Sequence, residues 1–337
     1  AGHKPIVLIG GSTGMIGDPG GRSEERNLLD EETLQDNVIA IRHQLEGLVD
    51  FDRAEMVNNY EWTRDVNILD FLRDVGKHTT VNQMTAKDSI KTRMEGEHGI
   101  SYTEFSYMLL QAFDYWWLHT NRECELQIGG SDQWGNITQG IDLIRRRSGS
   151  SVHGLTWPLI TRSDGQKYGK SVDGAIWLDP TRTLPYEFHQ YWLRVDDRDV
   201  RKFLMQLTLM GIGEIEALVA EHEKSPELRL GQQRLADEIT VLVHGKEAVK
   251  KAQLAAKALF GTSELTTEML VALEGLVPET SVQKSLLTGE EPLIDLLVQS
   301  DLTASKSEAR RLLKQGGVSV NGDKTSSPDI DSSMLIG

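Results

Sequence analysis

Apolar and polar positions fall into two regimes along the chain. Up to Ile160, short apolar runs alternate with stretches whose apolar residues recur every three or four positions. Pro5 to Gly10 is short and rich in β-branched residues, the pattern of a strand buried in a parallel sheet. Asp30 to Leu48 carries Leu34, Val38, Ile41 and Leu45 at helical spacing. Val57, Asn58, Asn59, Tyr60 and Trp62 predict a strand end and a turn, and Ile68 to Val75 a further helix. Thr103 to Leu118 predicts the most informative helix of this half, with Phe105, Met108, Leu109, Ala112, Phe113 and Trp116 forming one wide core face. An apolar strand end from Leu126 runs into Gly129 and Gly130 and on to an apolar helical stretch, Ile137 to Ile144; Val152 to Ile160 is the next strand. This alternation is that of an α/β fold.

From Pro180 to Tyr191 the pattern changes. Asp197 to Leu209, Gly213 to His222, Pro226 to His244 and Glu247 to Leu259 are amphipathic stretches divided by Gly, Pro or Ser, which predicts a helical domain. Thr262 to Thr288 is acidic and patternless, and reads as a linker. Ser305 and Glu308 form a capping-box pattern before a helix over Lys306 to Lys314, which Gly316 and Gly317 end. Val318 to Val320 and the Asn321-Gly322 turn predict a hairpin.

Length and charge narrow the classes. A chain of 337 residues suggests two or three domains. The single cysteine, Cys124, excludes an internal disulfide framework. No apolar run is long enough to span a bilayer and the start shows no signal-peptide pattern, so the expectation is a soluble, cytoplasmic protein without a membrane partner. A net charge of -15 argues against nucleic-acid binding through the overall field, so any polyanion must meet local basic patches.

Several segments carry candidate chemistry. Gly11, Gly14 and Gly17 stand at spacing three after the first strand, as in a dinucleotide fingerprint. Against an oxidoreductase, the chain expected to supply a second strand ending in an acid reads as helix, and no tyrosine has a lysine four residues later. The glycines therefore read as close backbone approach to another ligand. Asp18 follows, and then Arg22 and Arg26 lie on a Gly-rich cationic loop whose two arginines suit phosphate, or which is simply a solvated loop. Tyr107, Gln111 and Asp114 stack a phenol, an amide and a carboxylate on a second face of the long helix; an exposed polar face is the plain alternative, and a pocket for a small zwitterion with a distal hydroxyl is the other. Asp132 and Gln133 follow Gly130 at a strand's carboxyl end, where α/β sheets bind ligands and where a carboxylate suits a ribose diol. Lys167, Lys170 and Ser171 sit on a glycine-containing loop able to neutralise a leaving pyrophosphate.

Lys167-Tyr168-Gly169-Lys170-Ser171 resembles the second signature of class I aminoacyl-tRNA synthetases. Together with Leu126 to Ile137, Thr103 to Asp114 and Gly10 to Pro19, in order over nearly the whole chain, it resembles the bacterial tyrosyl-tRNA synthetases. The resemblance implies a Rossmann-like doubly wound parallel sheet in a catalytic domain over residues 1–160. It further implies a mobile loop and connector over 161–184, a helical anticodon-stem-contacting domain over 185–261, a linker over 262–288 and an S4-like α+β RNA-binding domain over 289–337. By resemblance Asp114 takes the tyrosine hydroxyl, Tyr107, Gln111 and Asp18 surround its ammonium group, and Gln133 sits by its carboxylate, with Asn59 and Thr13 behind. Gly130 and Asp132 face the ATP ribose and Leu159 and Ile160 the adenine; Arg22, Arg26, Lys167, Lys170 and Ser171 hold pyrophosphate. Lys306, Arg310, Arg311 and Lys314 face RNA. The partners implied are L-tyrosine, ATP with Mg2+ as a substrate complex, tRNA(Tyr) and a second copy in a homodimer, with no tightly bound cofactor and no metal site.

The family's first His-x-Gly-His signature has no counterpart, so the chain resembles a synthetase that starts one βα unit late, and its S4-like part stops short of the final strands. A tryptophanyl-tRNA synthetase relative and a noncatalytic RNA-binding protein on the same scaffold are the competing readings.

Overall fold

The computed structural model describes residues 2–16, 31–96, 99–161, 163, 176–261, 265–330 and 334–335. It divides into two units, residues 1–174 and 175–337.

In the first unit β1 (Ile6–Ile9) pairs in parallel with β2 (Glu55–Asn58), Ile9 opposite Asn58. Between them run α1 (Gly11–Ile16) and α2 (Glu31–Leu45). The spacing rule holds for half of α2 only. Leu34 is buried, but Ile41 at the same stripe stands 41% exposed, because the later turns of this helix lie uncovered. The turn expected after β2 is the short helix α3 (Tyr60–Thr63). Then come α4 (Ile68–Asp74), α5 (Val81–Thr85) and α6 (Asp88–Met94).

The long helix α7 spans Tyr102–Arg122, started by Ser101, whose hydroxyl accepts from the Glu104 amide, and ended at left-handed Glu123. Its predicted face does form the core: Met108, Leu109, Ala112 and Phe113 are buried with Val57, Trp62, Val75, Met84, Ile90 and Leu143. Trp62 stacks on Trp117 at 4.2 Å. Residues β3 (Leu126–Gly130), α8 (Trp134–Ser148) and β4 (His153–Trp157) make a parallel βαβ unit, Gly130 opposite Trp157. α8 begins before the apolar stretch at Ile137, because a tight turn over Ser131–Gln133 leads straight into it. β4 stops before the predicted end at Ile160, since Pro158 has no N–H for the ladder. The fully buried Tyr115 donates its hydroxyl to the His153 carbonyl at 2.6 Å and ties α7 to β4. The Rossmann-like parallel sheet is thus laid out, among the described residues, as two parallel pairs.

The second unit is helical, as its pattern required. It runs through α9 (Pro185–Leu193), α10 (Asp197–Leu207), α11 (Ile212–His222), α12 (Leu230–His244) and α13 (Lys246–Phe260), packed on Phe188, Phe203, Leu204, Ile215, Leu235 and Ala236. The expected linker over 262–288 is corrected here. It contains α14 (Thr267–Leu273), capped by Thr266 and packed on α13 with Met269 and Ala272 buried, and a tight turn over Lys284–Thr288. Seven residues are too few for a helical period to stand out from an acidic background.

The tail comprises α15 (Pro292–Gln299), α16 (Lys306–Lys314) and the antiparallel hairpin β5 (Ser319–Val320) and β6 (Asp323–Lys324). Ser305 caps α16 as predicted, but Glu308 reaches the amide of Ala304 at 3.0 Å, not that of Ser305. Gly316 is left-handed, and the Gly317 and Gly316 amides donate to the Leu312 and Leu313 carbonyls, closing the helix as a Schellman motif. Asn321 and Gly322 both have positive φ, at 54° and 92°, as a type I′ turn requires.

Candidate active site

The polar stripe of α7 is not a solvated face. Asp114 is 1% exposed, and Tyr107 and Gln111 are half-buried. One Asp114 oxygen accepts from Asn59 Nδ2 at 2.8 Å and the other from Trp62 Nε1 at 2.9 Å. Burial pushes its carboxyl up to about 6, against the lowering effect of these two hydrogen bonds. Asn59, itself fully buried, also donates to Thr13 Oγ1 at 3.0 Å. The first turn of α1, the β2–α3 junction and the middle of α7 therefore meet at one carboxylate, and three of the expected tyrosine-site residues, Thr13, Asn59 and Asp114, lie together.

Trp62 is the residue that sequence reasoning missed. It looked like part of a turn, yet a buried indole N–H needs an acceptor, and Asp114 is that acceptor. Ser12 escaped notice too: its amide and its hydroxyl both donate to Asn59 Oδ1, each at 2.9 Å.

Gly11 and Gly14 after β1 sit close against the fold itself. A Cβ on Gly11 would fall 2.0 Å from Asn58 Oδ1, and one on Gly14 3.2 Å from Leu34, so both approach the protein's own side chains. Gly17, the third glycine of the run, lies outside the described residues.

At the carboxyl ends of β3 and β4 the expected nucleotide-site residues converge. A Cβ on Gly130 would lie 2.6 Å from Asp132 Oδ1 and 3.1 Å from Leu159 Cδ2. Gly130 and Leu159 are half-buried, as is Ile160, while the Asp132 carboxylate is exposed. Gln133 stands at the N-cap of α8, its carbonyl oxygen accepting from Asn136 Nδ2 at 3.3 Å. The result is an exposed acceptor beside a bare backbone step and an apolar wall, at the amino end of a helix whose dipole favours negative charge. Among the described residues no group of three or more His, Cys, Asp or Glu is arranged to hold a metal ion.

Asp18, Arg22, Arg26, Lys167, Lys170 and Ser171 lie outside the described residues. In the tail three of the four expected RNA-facing residues are engaged: Lys306 pairs with Asp295 at 2.5 Å, Arg310 Nε donates to Glu291 at 3.0 Å, and Arg311 lies 3.8 Å from Glu308.

Comparison with known proteins gives this arrangement a class. Residues 1–261 match the family model for class I tRNA synthetases (W and Y), and residues 271–334 match a tyrosine–tRNA ligase SYY-like C-terminal domain. The tyrosine–tRNA ligase of Bacteroides thetaiotaomicron is 50% identical over 337 residues, covering 96% of this chain and 78% of the relative. That of Roseiflexus castenholzii is 50% identical over 327 residues, covering 95% and 77%. Among solved structures, a C-terminally truncated mitochondrial tyrosyl-tRNA synthetase of Aspergillus nidulans superposes with a TM-score of 0.67 at 31% identity, covering 76% of this chain and 77% of that one. The chain belongs to the class I tRNA synthetases of the tryptophan and tyrosine group, on their tyrosine–tRNA ligase branch.

Proposed function

We propose that this chain condenses L-tyrosine with Mg-ATP into tyrosyl-adenylate and pyrophosphate, and then passes the tyrosyl group to the 3′ end of tRNA(Tyr). The observation that carries the substrate is the buried Asp114 carboxylate, aligned by Asn59 and Trp62 on the stripe it shares with Tyr107 and Gln111. A carboxylate has roughly four lone-pair sites, so two remain for a phenolic hydroxyl. Tyr107, Gln111 and Asp18 take the ammonium group and Gln133 the carboxylate. Gly130 and Asp132 take the ribose, and Leu159 and Ile160 the adenine.

The tyrosine carboxylate is ionised at neutral pH, so its oxygen attacks the α-phosphorus without a general base. The bond to the β-phosphate breaks in line, and Arg22, Arg26, Lys167, Lys170 and Ser171 balance the charge on the departing pyrophosphate. A hydroxyl of the terminal tRNA ribose then attacks the adenylate carbonyl and AMP leaves. Positioning and charge stabilisation account for the rate. The tail, through Lys306, Arg310, Arg311 and Lys314, binds tRNA. The working form is a cytoplasmic homodimer, for which the exposed Ile68, Leu69 and Leu72 of α4 offer an apolar face.

ATP-pyrophosphate exchange tests the reading, with tyrosine, tryptophan and phenylalanine offered in turn. Exchange with tyrosine alone is the expected result. Exchange with tryptophan would move the chain to the other branch of its family, and tRNA binding without any exchange would favour a noncatalytic RNA-binding protein.

A further inference from the structure

Behind Asp114 stands an ordered chain of donors that reaches Thr63, on the far side of α3. The Asn59 amide is fully satisfied: Oδ1 accepts from the Ser12 amide and hydroxyl, and Nδ2 donates to Thr13 Oγ1 and to Asp114. Ser12 has a single hydroxyl proton, and it points at Asn59 Oδ1. Its own oxygen is then free to accept from Thr63 Oγ1 at 2.6 Å, whose single proton is shared between Ser12 and the Asn59 backbone carbonyl. Thr63, Ser12, Asn59 and Asp114 thus form one hydrogen-bonded network, in which Thr63 holds both the Ser12 hydroxyl and the backbone of Asn59.

The direction of that network is what matters for the substrate. If the Asn59 amide turned over, its carbonyl would face a carboxylate oxygen 2.8 Å away and its NH2 would face the Ser12 amide, setting acceptor against acceptor and donor against donor. We infer that Ser12 and Thr63 are positioning residues for substrate selection. Their hydroxyls hold the Asn59 amide with its NH2 toward Asp114, and thereby keep the carboxylate aimed at the substrate's hydroxyl. This rests on the tyrosine reading above. It adds two residues that touch no substrate.

The test uses the full chain and compares Ser12→Ala and Thr63→Val with the conservative Thr63→Ser, measuring pyrophosphate exchange with tyrosine and with phenylalanine. One neutral hydrogen bond is at stake in each nonconservative variant, so the tyrosine-over-phenylalanine ratio of kcat/KM should fall roughly three- to tenfold. The loss should appear in KM for tyrosine, because the hydroxyl contact is made equally in ground and transition states. The phenylalanine constants should change little, and Thr63→Ser should keep the native ratio. A parallel decline with both amino acids would reduce Ser12 and Thr63 to scaffold, and so would an unchanged ratio or a Thr63→Ser variant as poor as Thr63→Val. A native protein without any preference for tyrosine would instead overturn the substrate reading itself.

Discussion

Acidification through pH 6 should erase most of the preference for tyrosine over phenylalanine, and the reason lies in one buried carboxyl. Burial raises Asp114 from 3.8 to about 6 even though Asn59 and Trp62 both donate to it. Two pH units correspond to about 3 kcal/mol of disfavour for the ionised form. The sign follows from the raised value. This group favours the folded state at pH below 3.8, and that contribution is lost as pH rises toward 6. At pH 8 the free protein carries Asp114 almost wholly ionised, whereas at pH 5 about a tenth remains so. A tyrosine hydroxyl bonds best to the anion, so kcat/KM for tyrosine should drop about tenfold between those limits, with a break at the free-enzyme value near 6. Phenylalanine has the opposite preference, since its ring would leave a buried anion without a partner, and it gains as the carboxyl takes its proton. The assay is pyrophosphate exchange with each amino acid from pH 5 to 8, read as the ratio of kcat/KM values, in which every shared effect on ATP cancels. A ratio that stays flat across this range, or one that rises on acidification, would refute the role given to Asp114.

Two further outcomes follow from the packing. Gly130→Ala would drive a methyl into Asp132 Oδ1 and Leu159, and should raise KM for ATP while leaving KM for tyrosine in place; equal changes in both would remove these residues from the ribose and adenine. Glu291→Gln with Asp295→Asn should release Arg310 and Lys306 in the tail, tightening tRNA binding and steepening its salt dependence by about two in log–log slope. An unchanged slope in a fluorescence-anisotropy titration against KCl would show that those two cations do not meet phosphate.

The helices were legible because their stripes are long. α7, α10, α11, α13 and α16 lie where their apolar spacing put them, and the Asn-Gly hairpin follows from the turn's demand for positive φ. What stayed hidden depends on contacts between distant segments. Nothing in the spacing of Lys306, Arg310 and Lys314 says that Glu291 and Asp295 on the preceding helix already hold the first two. The glycines after β1 show the same limit. Only the register reveals that Gly11 makes room for Asn58.

That register also decides which of two neighbouring asparagines meets the Asp114 carboxylate. Asn58 and Asn59 carry the same amide, and composition cannot choose between them. Because Ile9 pairs with Asn58 in parallel, the chain leaves β1 and β2 side by side, and alternate residues face opposite ways. Asn58 turns to the Gly11 side and accepts from the Tyr60 amide, while Asn59 turns inward to Ser12, Thr13 and Asp114. A slip of one residue would exchange the two and bring the strand-end amide away from α7. The parallel pairing of two four-residue strands is therefore part of what shapes the candidate site: it brings Asn59 onto Thr13 and Asp114, 46 and 55 residues away in sequence.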